Sequence, residues 1–237
     1  MKVREAIVLA GGLGTRLKEV TGSIPKVMAP VDGRPFLEYL LNYLVVNKIT
    51  KVILATGYGS EILKTHFGDT YKNMTLVWSP EEVPLGTGGA TLQALNLAED
   101  DLVFIVNGDT LFNVPLEEMA DNVGNHFSSI CIALKPMSHF DRYGSVALKK
   151  SVITHFKEKM WCNEGLINGG VYLISRNWLI NRAPGKKFSL ENDILEKYVS
   201  EGQMSAFICN EYFIDIGIPV DFKRAQTEIP IVFTLKT

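Results

Sequence analysis

Short apolar runs alternate with stretches of helical periodicity through the first half of the chain. Ala6–Ala10 is unbroken apolar sequence ending at a glycine pair, which predicts a strand buried on both faces. Pro35 suits a first helical turn, and Phe36, Leu37, Leu40, Leu41, Leu44 and Val45 then recur on one helical face. Lys51–Thr56 predicts a second buried strand, Ile62–Phe67 a short helix, and Thr75–Trp78 a third strand. A glycine-rich turn leads into a helix over Gly88–Ala98, and Leu102–Val106 and Ser129–Leu134 complete five strands.

This rhythm predicts an α/β fold with a mainly parallel central sheet. The pattern changes near residue 140. Ser145–Leu148, Val152–Phe156 and Gly170–Ile174 read as strands joined by short turns, the mark of antiparallel additions. Leu190–Ser200 reads as a helix, Ala206–Cys209 as a strand and Pro219–Thr227 as a last helix. No repeat or linker divides the chain, so one domain is expected, with an inserted or appended substrate lobe. Pro230–Thr237 reads as a tail whose Ile231, Val232 and Phe233 are expected to pack on the body or a partner.

Composition narrows the function. With 237 residues, 46% hydrophobic, 21% charged and a net charge of −2, the chain suits a folded domain and lacks the basic excess of a nucleic-acid binder. No run approaches the ~18 apolar residues of a membrane span, and Ala6–Ala10 is too short for a signal h-region. Cys131, Cys162 and Cys209 fit neither a disulfide framework nor a zinc pair. Cys131 and Cys209, in apolar strand-like runs, read as reduced core thiols of a cytoplasmic protein.

Candidate chemistry begins directly after the first strand. Gly11, Gly12 and Gly14 leave backbone amides bare for a phosphate at the carboxyl end of a strand. The loop has no Gly-Lys-Ser/Thr, and Leu17 stands where a dinucleotide motif needs glycine. Arg16 can hold phosphate oxygens bidentately, and Lys26, behind Pro25, adds a point charge. Asp109 follows one apolar strand and Asp215 ends another. Two strand-end carboxylates beside a polyphosphate loop suit one Mg²⁺. No HExxH cluster and no Gly-x-Ser-x-Gly elbow competes.

These residues resemble the sugar-1-phosphate nucleotidylyltransferases. The glycine loop with Pro25-Lys26 is followed, in that family's order, by PLGTGGA (84–90), NGD (107–109), EK (158–159), INGG (167–170) and FIDIG (213–217). The resemblance runs from residue 3 to about 227 and implies the nucleotide-diphospho-sugar transferase fold, a three-layer, Rossmann-like α/β/α arrangement around a mixed, mainly parallel sheet, with a nucleotide-binding half at about 1–135 and a sugar-binding half at about 136–227. It implies nucleotide contacts at Leu9, Gly11, Gly12, Gly14, Thr15, Arg16, Gly86, Thr87, Gly88 and Asp109. Sugar-phosphate contacts would be Gly144, Glu158, Lys159, Asn168 and Gly169. Arg16, Lys26 and Asp109 would be catalytic, and Asp109 and Asp215 the Mg²⁺ ligands.

The implied partners are a nucleoside triphosphate and a sugar 1-phosphate, and the resemblance admits a homodimer. Val27 departs from the family's Pro-Lys-Pro text, which is expected to loosen that loop slightly, and Met160 stands where many members have proline. The PLGTGG stretch resembles the guanylyltransferase branch. FDRYGSV, GLINGGVYLI and FSLENDIL resemble members acting on D-glycero-α-D-manno-heptose 1-phosphate, on the way to bacterial surface polysaccharide. Mannose 1-phosphate is the competing sugar, and UTP, dTTP and CTP the competing nucleotides. A nucleotide-sensing module of the same fold is the non-enzymatic alternative; it would be expected to lose one of Arg16, Lys26, Asp109 or Asp215. A dinucleotide-dependent oxidoreductase is disfavoured by the missing glycine.

Overall fold

A computed structural model describes residues 2–12, 22, 24–126 and 128–233. In chain order these form β1 (Glu5–Ala10), β2 (Pro30–Val31), β3 (Arg34–Pro35), α1 (Phe36–Val46), β4 (Lys51–Thr56), α2 (Ser60–Phe67), β5 (Thr70–Tyr71), β6 (Met74–Pro80), α3 (Gly86–Leu95) and β7 (Leu102–Asn107). There follow β8 (Thr110–Phe112), α4 (Leu116–His126), β9 (Ile130–Phe140), β10 (Gly144–Lys149), β11 (Val152–Lys159), β12 (Cys162–Ser175), α5 (Arg176–Arg182), β13 (Met204–Ile208), β14 (Phe213–Asp215) and α6 (Pro219–Val232).

Among the described residues, ten strands make one mixed sheet in the order β10-β11-β13-β9-β12-β7-β1-β4-β6-β5. β6, β4, β1 and β7 run parallel to their neighbours within that block. β12 enters antiparallel between β7 and β9, which joins the two halves through continuous hydrogen bonding. Alternation along each strand feeds two cores. Ala6 and Val8 face the layer built from α1, α2, α4 and α6, while Ile7 faces the layer holding α3 and α5. The sheet is therefore covered on both faces, which is why β1, β4 and β7 read as continuous apolar runs.

Two helices go beyond the expected pattern. In α4, Leu116, Met119, Ala120 and Val123 recur at helical spacing and are buried, so the periodic signal was present. In α5, Ser175 caps the helix by accepting from the Trp178 N–H, and Trp178 and Leu179 are buried. The expected helix over Leu190–Ser200 is locally widened into a π-helical turn at Glu191–Glu196. The C-terminal expectation needs correcting. Pro230, Ile231 and Val232 continue α6 rather than forming a tail, and Ile231 is exposed. Pro230 has no N–H to donate to the preceding turn, so the end of α6 goes without that backbone hydrogen bond. Phe233 packs edge-on against Tyr212, and residues 234–237 lie outside the described residues. No described helix is long and apolar enough to cross a membrane.

Candidate active site

Strand order places the carboxyl ends of β1, β4 and β7 side by side, and the loops that leave them share one face of the sheet. The Gly108 N–H donates to the Leu9 carbonyl at 3.0 Å, tying the turn after β7 to the last part of β1. Asp109 follows at once. β8 then pairs antiparallel with β14 in a register that sets Thr110 opposite Asp215. The Ile216 N–H donates to the Asp109 carbonyl at 3.0 Å, so carboxylates distant in sequence become neighbours.

Lys26 joins them from a 3₁₀ turn, Lys26–Met28. Its Nζ donates to Asp109 Oδ2 at 2.5 Å. Val27, in place of the second proline, is 3% exposed and packs into the core. Asp215 Oδ1 accepts from the Gly217 N–H at 2.7 Å. Burial and the neighbouring Asp109 charge raise the proton affinity of Asp215 above that of an ordinary carboxylate; Lys26, the Gly217 amide and Arg142 offset this in part.

Two clefts meet at this cluster. One, of about 460 Å³, is lined by Leu9, Gly11, Gly12, Lys26 and Thr87 among others. The second, of about 660 Å³, is lined by Gly144, Lys159, Asn168, Gly169, Tyr172 and Asp215 among others. Asn107 and Asp109 belong to both walls.

The second cleft is shaped by an irregularity in β12. The pairing with β9 shifts between Asn168 and Tyr172, and Gly170 takes a φ of 72°. A side chain at Gly170 would meet Asn107, which wedges between the strand and the cleft. Asn168 Nδ2 donates to the Tyr172 hydroxyl at 2.9 Å, while Asn168 Oδ1 accepts from the Gly170 N–H at 3.0 Å. Burial, with Glu191 nearby, holds the Tyr172 phenol far above its usual range, so it stays a neutral hydroxyl. Gly144 and Lys159 are paired across β10 and β11, which brings both to the rim.

Several expected contacts lie elsewhere. Glu158 is exposed and outside the cleft walls, whereas Lys159, also exposed, lines the rim of the larger cleft. Gly88 is buried, and its N–H is taken by the Phe188 carbonyl at 3.0 Å; Gly86 and Thr87 supply the wall instead. Gly14, Thr15 and Arg16 fall outside the described residues.

Other lining residues were not nominated from sequence. Glu81 follows β6, lines the smaller cleft, and accepts the Leu85 N–H through Oε2 at 2.7 Å. The strand-end rule that picks out Asp109 and Asp215 also picks out Glu81. Glu191 lines the larger cleft and binds the Thr87 hydroxyl at 2.6 Å, linking it to the nucleotide-side loop. Its placement comes from the π turn, which no local pattern announces. Arg142, Tyr143 and Phe213 complete the wall. Among the described residues no group of three or more His, Cys, Asp or Glu side chains forms a metal cluster. Cys131 and Cys209 are buried free thiols, and burial pushes the Cys131 thiol up to about 11.

Residues 5–230 match the family model described as nucleotidyl transferase. A D-glycero-alpha-D-manno-heptose 1-phosphate guanylyltransferase from Aneurinibacillus thermoaerophilus is 45% identical, over 95% of this chain and 98% of that protein. One of the same description from Campylobacter jejuni subsp. jejuni serotype O:2 is 42% identical, over 92% and 96%. The crystal structure of HddC from Yersinia pseudotuberculosis superposes with a TM-score of 0.86 at 34% identity, covering 96% of this chain and all of that one, and HddC was also crystallised with GMP-PN. Carrying the family's pattern across nearly its whole length, the chain belongs to the nucleotidyl transferase family.

Proposed function

We propose that the protein transfers a guanylyl group from GTP to D-glycero-α-D-manno-heptose 1-phosphate, yielding GDP-heptose and pyrophosphate. The observation that carries this reading is the meeting of Lys26, Asp109 and Asp215 on the wall between two clefts. An oxygen of the sugar phosphate attacks the α-phosphorus in line, forming one P–O bond while the bond to the leaving pyrophosphate breaks. That oxygen is ionised at neutral pH, so no general base is required; placement and charge neutralisation carry the rate. Lys26 compensates charge near the α-phosphate. Arg16, with Gly14 and Thr15, is assigned to the triphosphate by resemblance, and Lys159, Asn168 and Gly144 to the sugar phosphate.

Asp109 and Asp215 fit a hard divalent cation. They are adjacent oxygen donors, and the charge of one raises the proton affinity of the other. Mg²⁺, when bound, supplies charge screening and orientation of the triphosphate. Glu81 supports the choice of base, since a carboxylate accepts where guanine offers adjacent N–H donors and uracil offers only one. Mannose 1-phosphate is the comparison substrate for the heptose phosphate. Free thiols and a nucleotide substrate agree with a cytoplasmic site of action, supplying surface polysaccharide synthesis.

The test is pyrophosphate release with GTP, UTP, dTTP and CTP against heptose, mannose and glucose 1-phosphates, with and without Mg²⁺. The expected result is the highest kcat/KM for GTP with the heptose phosphate. Release with UTP or dTTP but not GTP would overturn the base, a preference for mannose 1-phosphate the sugar, and silence with every pair would favour a nucleotide sensor.

A further inference from the structure

Glu5 and Asp221 are the two buried charged side chains among the described residues, and the chemistry above uses neither. Asp221 lies in the first turn of α6, 7% exposed. Its Oδ2 binds Arg142 Nη1 at 2.7 Å, and its Oδ1 binds Arg224 Nη1 at 3.0 Å. Arg142 is the partner that reaches the sugar-side cleft. It precedes Tyr143-Gly144, and Gly144 pairs with Lys159, so both cations stand at one rim. Arg142 Nη2 also donates to the Tyr143 hydroxyl at 3.0 Å. These contacts occupy two of the five N–H donors of the guanidinium.

Charge balance gives this arrangement a purpose. A sugar 1-phosphate brings nearly two negative charges at neutral pH, about −1.5 to −2. The cleft that would receive it also exposes Asp109, Asp215 and Glu191. Lys159 alone leaves that dianion under-compensated. Building on the transferase reading, we propose that Arg142 is the second cation for the sugar phosphate, and that Asp221 is a positioning residue which holds the Arg142 guanidinium toward the cleft. A long, half-exposed arginine otherwise spreads over many rotamers, and a buried carboxylate partner selects one before substrate arrives.

Steady-state kinetics of the full chain with R142Q, D221N and the double variant tests this. R142Q is expected to raise KM for the sugar 1-phosphate on the order of 10–100-fold while leaving KM for GTP within about twofold, as loss of a charge-assisted contact to one substrate requires. R142K should recover part of the loss, since the charge remains and the fork does not. D221N should raise the same KM by a smaller factor and add nothing in the R142Q background. Where D221N fails to fold, D221E, which keeps the charge but displaces it, takes its place in the cycle.

An unchanged KM for the sugar phosphate in R142Q overturns the role of Arg142, as does an altered Mg²⁺ requirement in its place, which would make Arg142 a counter-charge to Asp215. Full additivity of the two variants overturns the positioning role of Asp221. Failure of the transferase reading is separate: it would show as absent turnover in the unmodified chain. Titration of mannose 1-phosphate into unmodified and R142Q protein would then decide the inference, with equal affinity sinking it.

Discussion

The amino and carboxyl ends of the parallel block treat withdrawn carboxylates in opposite ways. At the amino end of β1, Glu5 is 4% exposed and fully engaged. Its Oε1 meets Lys51 Nζ at 2.8 Å, and its Oε2 accepts the N–H groups of Glu99 and Asp100, each at 2.7 Å. Burial pushes its proton affinity up, but the Asp100 amide, Lys51 and the Glu99 amide outweigh that, and the pKa ends below the ordinary value. Past the carboxyl ends, Asp215 accepts from the Gly217 amide and faces another carboxylate, and its pKa ends above the ordinary value. One end is satisfied by the fold itself. The other is left incomplete, which is what the proposed cation site requires.

Breaking the open end first should give the largest effect. D109A removes the partner of Lys26 and the carboxylate shared by both clefts. Turnover should fall by about 10²–10³-fold or more, with the circular dichroism spectrum unchanged. Retained turnover would take Asp109 out of the chemistry.

Breaking the satisfied end should do the reverse. E5A leaves the Glu99 and Asp100 amides without their acceptor while Lys51 keeps Glu99 at 2.7 Å, and leaving buried donors unsatisfied costs about 1–3 kcal/mol. Chemical denaturation should show this loss, while kcat per folded molecule stays within twofold. A change in kcat would mean the two ends are coupled.

A sharper contrast comes from D215N. Because the folded pKa of Asp215 is raised, the folded state holds its proton more tightly than the unfolded chain does. Its ionisation therefore opposes folding, increasingly as the pH rises through the folded value. In EDTA at pH 7, D215N should raise Tm by a few degrees, even as it abolishes turnover. A lowered Tm would show that Asp215 is structurally satisfied.

The smallest effect is in pH dependence. The stabilisation by Glu5 is present above the unfolded carboxylate value and lost as pH falls through its lowered folded value. The acid limb of Tm against pH should therefore be shallower in E5Q. The advantage of D215N should fade as the pH falls toward the unfolded value. Parallel acid limbs for E5Q and the unmodified chain would remove Glu5 from the acid response.

Much of the fold was legible because burial on both faces leaves a plain mark. The second strand was read at Lys51–Thr56 and is observed there. α1 spans Phe36–Val46, where helical spacing and Pro35 placed it. α4 carries the same periodicity, with Leu116, Met119, Ala120 and Val123 on its buried face. Asp109 and Asp215 were legible because a carboxylate after an apolar strand must emerge at the sheet edge. The same signal pointed to Glu81, which went unused.

By itself, the sequence determined the layers, the glycine loop and the supply of cations and carboxylates, because these follow from local periodicity and residue chemistry. Tertiary structure alone decided which charges meet. The β8–β14 register brings Asp215 beside Asp109. The first turn of α6 reaches across to Arg142, and a π turn swings Glu191 into the cleft. Those contacts join residues far apart in the chain, and only the packing of whole elements sets distances between them.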